Sequence, residues 1–296
     1  MAQTRPREER RTRRGGRAQR GAERATPTIE QLPWGVPENL DAPVEPLDGD
    51  GVQAIHNAAM EILEDIGIWF LHEDAKKMLK EAGADVDPDS DRVRFDRAMV
   101  MEHVARAPEK FVLTPRNPDR AVPIGGNHMA FVNVSSPPNS SNLDRGRRAG
   151  TREDFQDLVK LSQYFNCMHL MGGYPVEPVD IHASIRHLDC VYDKAILTDK
   201  VLHAYCLGKE RVEDAMEIVR ISCGLTHDEF DAAPRMYTNI NSSSPLKHDT
   251  PMLDGGMRMA RRGQPVFFPP LPLSGAMAPV TLAGAPAPQT AEGMAA

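Results

Sequence analysis

Four small clusters in the chain carry groups able to bind a small molecule. They are Gly173 with Tyr174, the stretch 205–208 opened by Tyr205, the run Asn241, Ser242, Ser243, and Ser274 with Gly275. Rings, amides and hydroxyls of this kind hold a ligand by ring faces and hydrogen bonds. Each also has a structural reading. Tyrosines pack in cores, and an asparagine–serine run makes an ordinary strand-to-helix turn. Stronger chemistry is not encoded in an obvious way. His169, His182, His187 and His203 show no metal-ligand spacing, since His182 and His187 lie five apart and off one helical face. The cysteines Cys167, Cys190, Cys206 and Cys223 contain no CxxC pair, which argues against a zinc ribbon or a redox dithiol. Met171-Gly172-Gly173-Tyr174 departs from GxGxxG, so a dinucleotide site has weak support. Arg145, Arg147 and Arg148 read as a solvated loop or as a phosphate-binding one.

Each cluster follows an apolar, strand-like run. Such runs begin near Met168, Val201, Met236 and Val266, and helical patterns over 181–197, 210–223 and 250–261 separate them. Strand, loop and helix repeated in this way predict a parallel α/β architecture, in which loops at the strands' C-terminal ends carry the ligand. The fourth unit lies within 265–284, where Val266, Phe267 and Phe268 form the strand. Prolines stop it, and Thr281 is placed to cap a helix starting near Leu282. Those prolines also argue against reading this uncharged stretch as a membrane span. Pro286 and Pro288 are expected to interrupt the last helix.

Ahead of these units, residues 50–134 read as an α+β section. Helices are expected over 50–66, 72–82 and 96–107, and strands over 111–114 and 121–134 with a turn at Gly125, Gly126 and Asn127. Residues 135–150 read as a polar loop. Thr151 and Asp154 then form a capping box for the helix that shows Phe155, Leu158, Val159 and Ser162 on one face. Three sections follow from this: a disordered basic tail and linker over 1–49, the α+β section, and the repeating units over 135–296.

The chain has 296 residues, 41% hydrophobic and 26% charged, the balance of a soluble protein. Its net charge of −7 hides an asymmetry, because residues 1–24 hold nine arginines against three glutamates. The tail lacks aromatic residues for base stacking, so nucleic acid is not the expected partner. No secretory signal is evident, and free thiols in a reducing cytoplasm are expected.

The segment 142–173, NLDRGRRAGTREDFQDLVKLSQYFNCMHLMGG, resembles the lead-in to the barrel of the trimethylamine methyltransferase (MttB-like) family, and 274–285, SGAMAPVTLAGA, resembles its loop and helix start after the fourth strand. The resemblance implies a (β/α)8 TIM-type barrel, here its first four βα units. It implies an enzyme that moves a methyl group from a methylated or quaternary amine, of trimethylamine or glycine betaine type, to a corrinoid protein. No cofactor is then bound directly; the corrinoid (cobalamin) is carried by the partner, and the full-length family is expected to be homo-oligomeric. In that setting Tyr174, Tyr205 and Tyr237 are the rings available to a substrate cation, and Asn241, Ser242, Ser243, Ser274 and Gly275 the polar contacts. Four units against eight lead to the expectation that the chain stops halfway and transfers no methyl group alone. The rivals are a complete, open, doubly wound sheet and a non-catalytic module that still docks the corrinoid protein.

Overall fold

A computed structural model describes residues 29–296, so residues 1–28 of the tail and linker expected over 1–49 lie outside the described residues, and within the rest Trp34 and Val36 pack against Leu113 and Val122. Trp34–Ala296 form one compact unit. Its first helix, α1 (Gly49–Glu61), is capped by Asp48, whose carboxylate accepts from Gly51 N. One π-helical turn, Ile62–Ile66, extends it. Gly67 then ends the helix at φ +75°, where a side chain would run into Val93 O at 2.5 Å. Next come β1 (Ile68–Phe70), α2 (Glu73–Glu81), β2 (Asp85–Val86), β3 (Arg92–Arg94) and α3 (Arg97–Val104), the last capped by Asp96.

The hairpin of β4 (Lys110–Leu113) and β5 (Val122–Gly125) matches the expected strand pair at its start. The second expected strand ends at Gly125, whose φ of +100° turns the chain. Residues 135–150 are not the plain loop their polarity suggested, because β6 (Asn139–Asn142) pairs with β7 (Gly146–Ala149). The turn carries the signal instead: Asn142 Oδ1 accepts from Arg145 N, and Gly146 takes φ +63°.

The capping box at Thr151 opens α4 (Arg152–Tyr164), with Thr151 and Asp154 bonding reciprocally. Then follow α5 (Arg186–Leu197), β8 (Leu202–His203), α6 (Lys209–Ser222), the short α7 (His227–Asp231), β9 (Met236–Asn239), β10 (Lys247–His248), α8 (Thr250–Arg261), β11 (Val266–Phe267) and α9 (Pro286–Met294). Residues 181–185 stay outside α5, and Arg186 ties back to Ile181 O with Nε and an Nη. The sequence reading had no place for α7, although Thr226 and Glu229 form a capping box for it.

The chain has an α/β fold. Four apolar runs line up in parallel: Leu170 bridges Val201, β8 pairs with β9, and β9 pairs with β11. Val132 adds a fifth parallel position beside Leu170. Both faces of this row are covered, which is why its strands read as mainly apolar runs, with His169, His203 and Thr238 the buried polar exceptions. Phe155, Val159, Cys190, Val191, Val212, Met216 and Met259 from the helices pack on Met171, Leu202, Ala204, Met236 and Ile240. The opposite face presents Leu170, Val201 and Tyr237 to Leu113 and Val122 of the hairpin.

A second sheet has the order β10-β1-β3-β2, with β10 parallel to β1 and the other pairs antiparallel. The sections expected on either side of residue 134 therefore share a sheet. They share a core as well, in which Met60, Leu63, Ile68 and Phe70 meet Leu253 and Ala291. Ala291 belongs to α9, which is a regular helix and not the broken one expected. Pro286 sits in its first turn, where a missing N–H costs nothing. Nor does this helix start near Leu282: Thr281 caps only a turn, accepting from Gly284 N.

Candidate functional site

Where β8, β9 and β11 end, a cleft of about 490 Å³ opens. His203, Tyr205, Asn239, Asn241, Pro269 and Leu271 contribute to its lining. Alternation along the strands explains the choice. Leu202 and Ala204 pack toward the helices and His203 points to the other face, while Tyr205 and Cys206, past the strand's end, touch both the helix-side core and the cleft.

His203 is 3% exposed, and neither ring nitrogen has a hydrogen-bond partner among the described residues. Its ring is held edge-on between Tyr205 at 5.0 Å and Tyr237 at 5.1 Å. Burial first, and the charge of Lys194 second, pull its pKa down to about 3, so the imidazole is neutral at neutral pH. Lys194 lies behind the strand, 1% exposed, and its Nζ donates to His203 O at 2.6 Å. Burial lowers its own pKa to about 8.

Tyr205 is fixed at the rim. Its phenol oxygen accepts from Tyr174 N at 3.1 Å and is hydrogen-bonded to the Ser136 hydroxyl. The segment carrying Ser136 runs along the edge of the row. Asn133 Oδ1 accepts from Gly172 N and Ser135 Oγ from Gly173 N, both at 2.8 Å. This approach explains the paired glycines better than any phosphate loop does. A Cβ on Gly172 would meet Asn133 O at 2.5 Å, and one on Gly173 would meet Tyr205 Oη at 1.8 Å. Deeper in, Tyr237 donates to Met171 O at 3.0 Å. Burial raises the pKa of the cleft thiol, Cys206, to about 11, so it stays protonated and is no nucleophile at neutral pH.

Of the residues singled out in the sequence, Tyr205 and Asn241 line the cleft. Tyr174 faces the helices, edge-on to Phe155 at 5.8 Å and 5.9 Å from Lys194 Nζ, because the chain bends at Gly173 and reverses the alternation. Ser242 donates to the buried carboxylate of Glu292, and Ser243 Oγ donates to Asp249 Oδ2 at 3.2 Å. Ser274 stands on an exposed turn, bonded to Pro279 O and Val280 O, and Gly275 supplies that turn with φ +80°. Neither reaches the cleft lining. Sequence reasoning missed His203 and Asn239. The period of two was the available signal, since His203 precedes Tyr205 by two residues and Asn239 precedes Asn241 by two.

The arginine hairpin is tied to the helix behind it. Arg148 pairs with the buried Asp154, and Arg145 with Glu153 at 3.4 Å. Among the described residues no group of three or more His, Cys, Asp or Glu is placed to hold a metal. None of their helices is long and apolar enough to cross a membrane. The cysteines are unpaired.

The site can thus offer a small molecule one aromatic rim, two amides and a neutral imidazole, with no carboxylate in its lining among the described residues. Known proteins put this arrangement in context. A glycine betaine methyltransferase from Desulfitobacterium hafniense strain Y51 is 38% identical over 235 residues, which is 79% of this chain and 48% of that protein. A trimethylamine methyltransferase MttB from the same species, strain DSM 10664 / DCB-2, is 26% identical over 235 residues, covering 77% of this chain and 46% of the relative. The chain spans about half the length of the curated relatives it matches. One solved structure, described as the hydroxylamine MtmB complex, is similar at a TM-score of 0.41 and 14% identity, over 78% of this chain and 53% of that one. Residues 13–296 match the profile of the trimethylamine methyltransferase (MTTB) family, and the chain belongs to that family.

Proposed function

We propose that this chain takes part in moving a methyl group from a methylated or quaternary amine to a corrinoid protein in the cytoplasm, and that its parallel row is half of a (β/α)8 barrel. The observation that carries the reading is the cleft at the strands' C-terminal ends in a chain of this family. In that reaction the methyl carbon would pass from nitrogen to the reduced corrinoid supplied by the partner, the carbon–nitrogen bond breaking with its electron pair left on nitrogen. A quaternary ammonium then leaves as a neutral amine and needs no proton. A lining without carboxylates or a charged histidine suits that chemistry, and the Tyr205 ring supplies a face for the cation. The polar contacts proposed for the substrate are Asn241 and Asn239 beside it, with Tyr205 at the rim. Ser242, Ser243, Ser274 and Gly275 shape the loops around the mouth.

The test is to incubate the full chain with a corrinoid protein reduced to Co(I), offering trimethylamine, glycine betaine and related amines in turn. Growth of the methyl–cobalt absorbance above the rate without the chain is the result this reading requires, and it would overturn the expectation, drawn from four units against eight, that the chain transfers no methyl group alone. If none forms while the chain still co-elutes with the corrinoid protein, the chain is a binding module and the catalytic reading fails.

A further inference from the structure

We propose that His203 is a neutral hydrogen-bond donor to a carboxylate oxygen of the molecule held in the cleft, making it the residue that selects carboxylate-bearing ammonium compounds over simple alkylammonium ions. This rests on the reading of the cleft as the amine site.

His203 combines three features. It is almost fully buried, it lines the cleft, and both of its ring nitrogens lack partners. Buried polar groups in folded proteins are nearly always paired, so an unpaired imidazole at the floor of a cleft marks a place where a ligand completes the bonding. A tetraalkylammonium ion cannot do so, having neither an N–H nor a lone pair. A carboxylate oxygen can accept the imidazole N–H. Both nitrogens are screened from solvent, so a carboxylate reaches them as the ring, edge-on to Tyr205 and Tyr237, turns toward the cleft.

Charge favours the same ligand. No carboxylate lines the cleft. Behind the floor, the buried ammonium of Lys194 donates to the main-chain oxygen of His203 itself, which places a positive charge on the floor side. The aromatic face of Tyr205 stands at the rim, two residues further along the strand. A zwitterion therefore fits with its carboxylate down on His203 and its ammonium up against the ring, its methyl groups toward the mouth.

The experiment uses the full chain and two probes, glycine betaine and tetramethylammonium. Ring 15N resonances of His203, assigned by their loss in His203→Phe, are followed during titration, and affinities are measured by calorimetry. Glycine betaine is expected to shift the His203 nitrogens and to bind about tenfold or more tighter than tetramethylammonium. His203→Phe keeps a ring between the two tyrosines; it is expected to weaken glycine betaine about tenfold while leaving tetramethylammonium within about twofold. Equal binding of both probes to the unaltered chain, binding of neither, or unmoved His203 nitrogens would overturn the proposal. So would a His203→Phe variant that weakens both probes alike. Should that variant not fold, the titration of the unaltered chain decides, with assignment from selective histidine labelling. Glycine betaine bound through His203 without methyl transfer would sink the catalytic reading and leave the role of His203 standing, and methyl transfer with unmoved His203 nitrogens would do the reverse.

Discussion

In the four-stranded sheet near the N-terminus, charged side chains pair at the rim in contact with water. Arg97 reaches Glu64 at 2.6 Å with the two side chains 48% and 28% exposed, and Arg94 reaches Asp85 at 3.7 Å with 37% and 74%. Around the parallel row the charged groups are inside. Asp193, Lys194 and Lys200 are each no more than 2% exposed, and His203 and Gln264 are buried beside them. Both sheets have dry cores of similar residues. The difference is that the first keeps most of its charged pairs in water, with His248 and Glu292 its buried exceptions, while the second holds a cluster of charged groups within the protein, and the cleft with its unpaired imidazole belongs to the second. A polar group held in a dry, rigid setting is the kind that can read a ligand.

That contrast can be broken most severely at Arg152. Its guanidinium holds Asp193 with two bonds, at 2.8 and 2.9 Å, while Asp193 is 1% exposed. Arg152→Ala strands a buried carboxylate with only Gln156 to serve it. It is expected to cost about 3–5 kcal/mol in urea unfolding. A cost under about 1 kcal/mol would mean that water reaches Asp193 and that the interior is wetter than described.

A smaller effect is expected from Gly173→Ala. The added methyl would overlap the Tyr205 phenol and push the ring out of its bonds to Ser136 and Tyr174 N. Overpacking of this kind typically costs about 1–3 kcal/mol. The accompanying signature is a changed Tyr205 environment in near-ultraviolet circular dichroism; an unchanged spectrum and unchanged stability would show that the edge segment yields freely.

The dependence on pH comes next and reads buried groups of both regions. The folded-state pKa of His203, about 3, lies below its ordinary 6.5, so the unfolded chain takes up that proton first. The stability supplied by the neutral ring is complete above about pH 6.5. It is lost as pH falls toward 3, at up to about 1.4 kcal/mol per unit for this one group. Burial also lowers His248 and His169, adding in the same direction. For Lys194 and Lys200, lowered by burial from 10.5 to about 8, the penalty of the buried charge is complete below pH 8 and lifts above it. Urea midpoints should therefore fall from pH 7 to pH 5.5 and rise slightly from pH 8 to pH 9, before the buried thiols begin to oppose the trend. A midpoint flat between pH 7 and 5.5 would contradict the burial of His203.

The smallest effect belongs to the outer sheet. Arg97→Ala removes a well-aligned but hydrated pair and is expected to cost about 1 kcal/mol or less, shrinking further in salt. A loss as large as that of Arg152→Ala would erase the distinction between the two regions.

Much of the scaffold was legible in the sequence because its signals are local. Helix α8 falls at 250–261 as expected, since Asp249 caps it, Pro251 sits in its first turn, and Met252 and Met259 mark its inner face. The starts of the parallel strands were visible because burial on both faces leaves no polar alternation to obscure them. The site was half legible. Tyr205 and Asn241, singled out from their position after strands, line the cleft, whereas the bend at Gly173 turns Tyr174 toward the helices and Ser274 sits on an exposed turn outside the lining.

The sequence by itself determined the local elements: caps, helix faces and apolar strand runs, each settled by neighbours within about one helical turn. Only the tertiary structure decided that Trp69 pairs with Lys247, that α9 closes over α1, and that the His203 ring has no hydrogen-bond partner among the described residues. Those outcomes depend on what packs against a residue from far along the chain. Hydrogen bonding at a buried nitrogen is a property of everything within about 3 Å of it, and no spacing in the sequence records that surrounding.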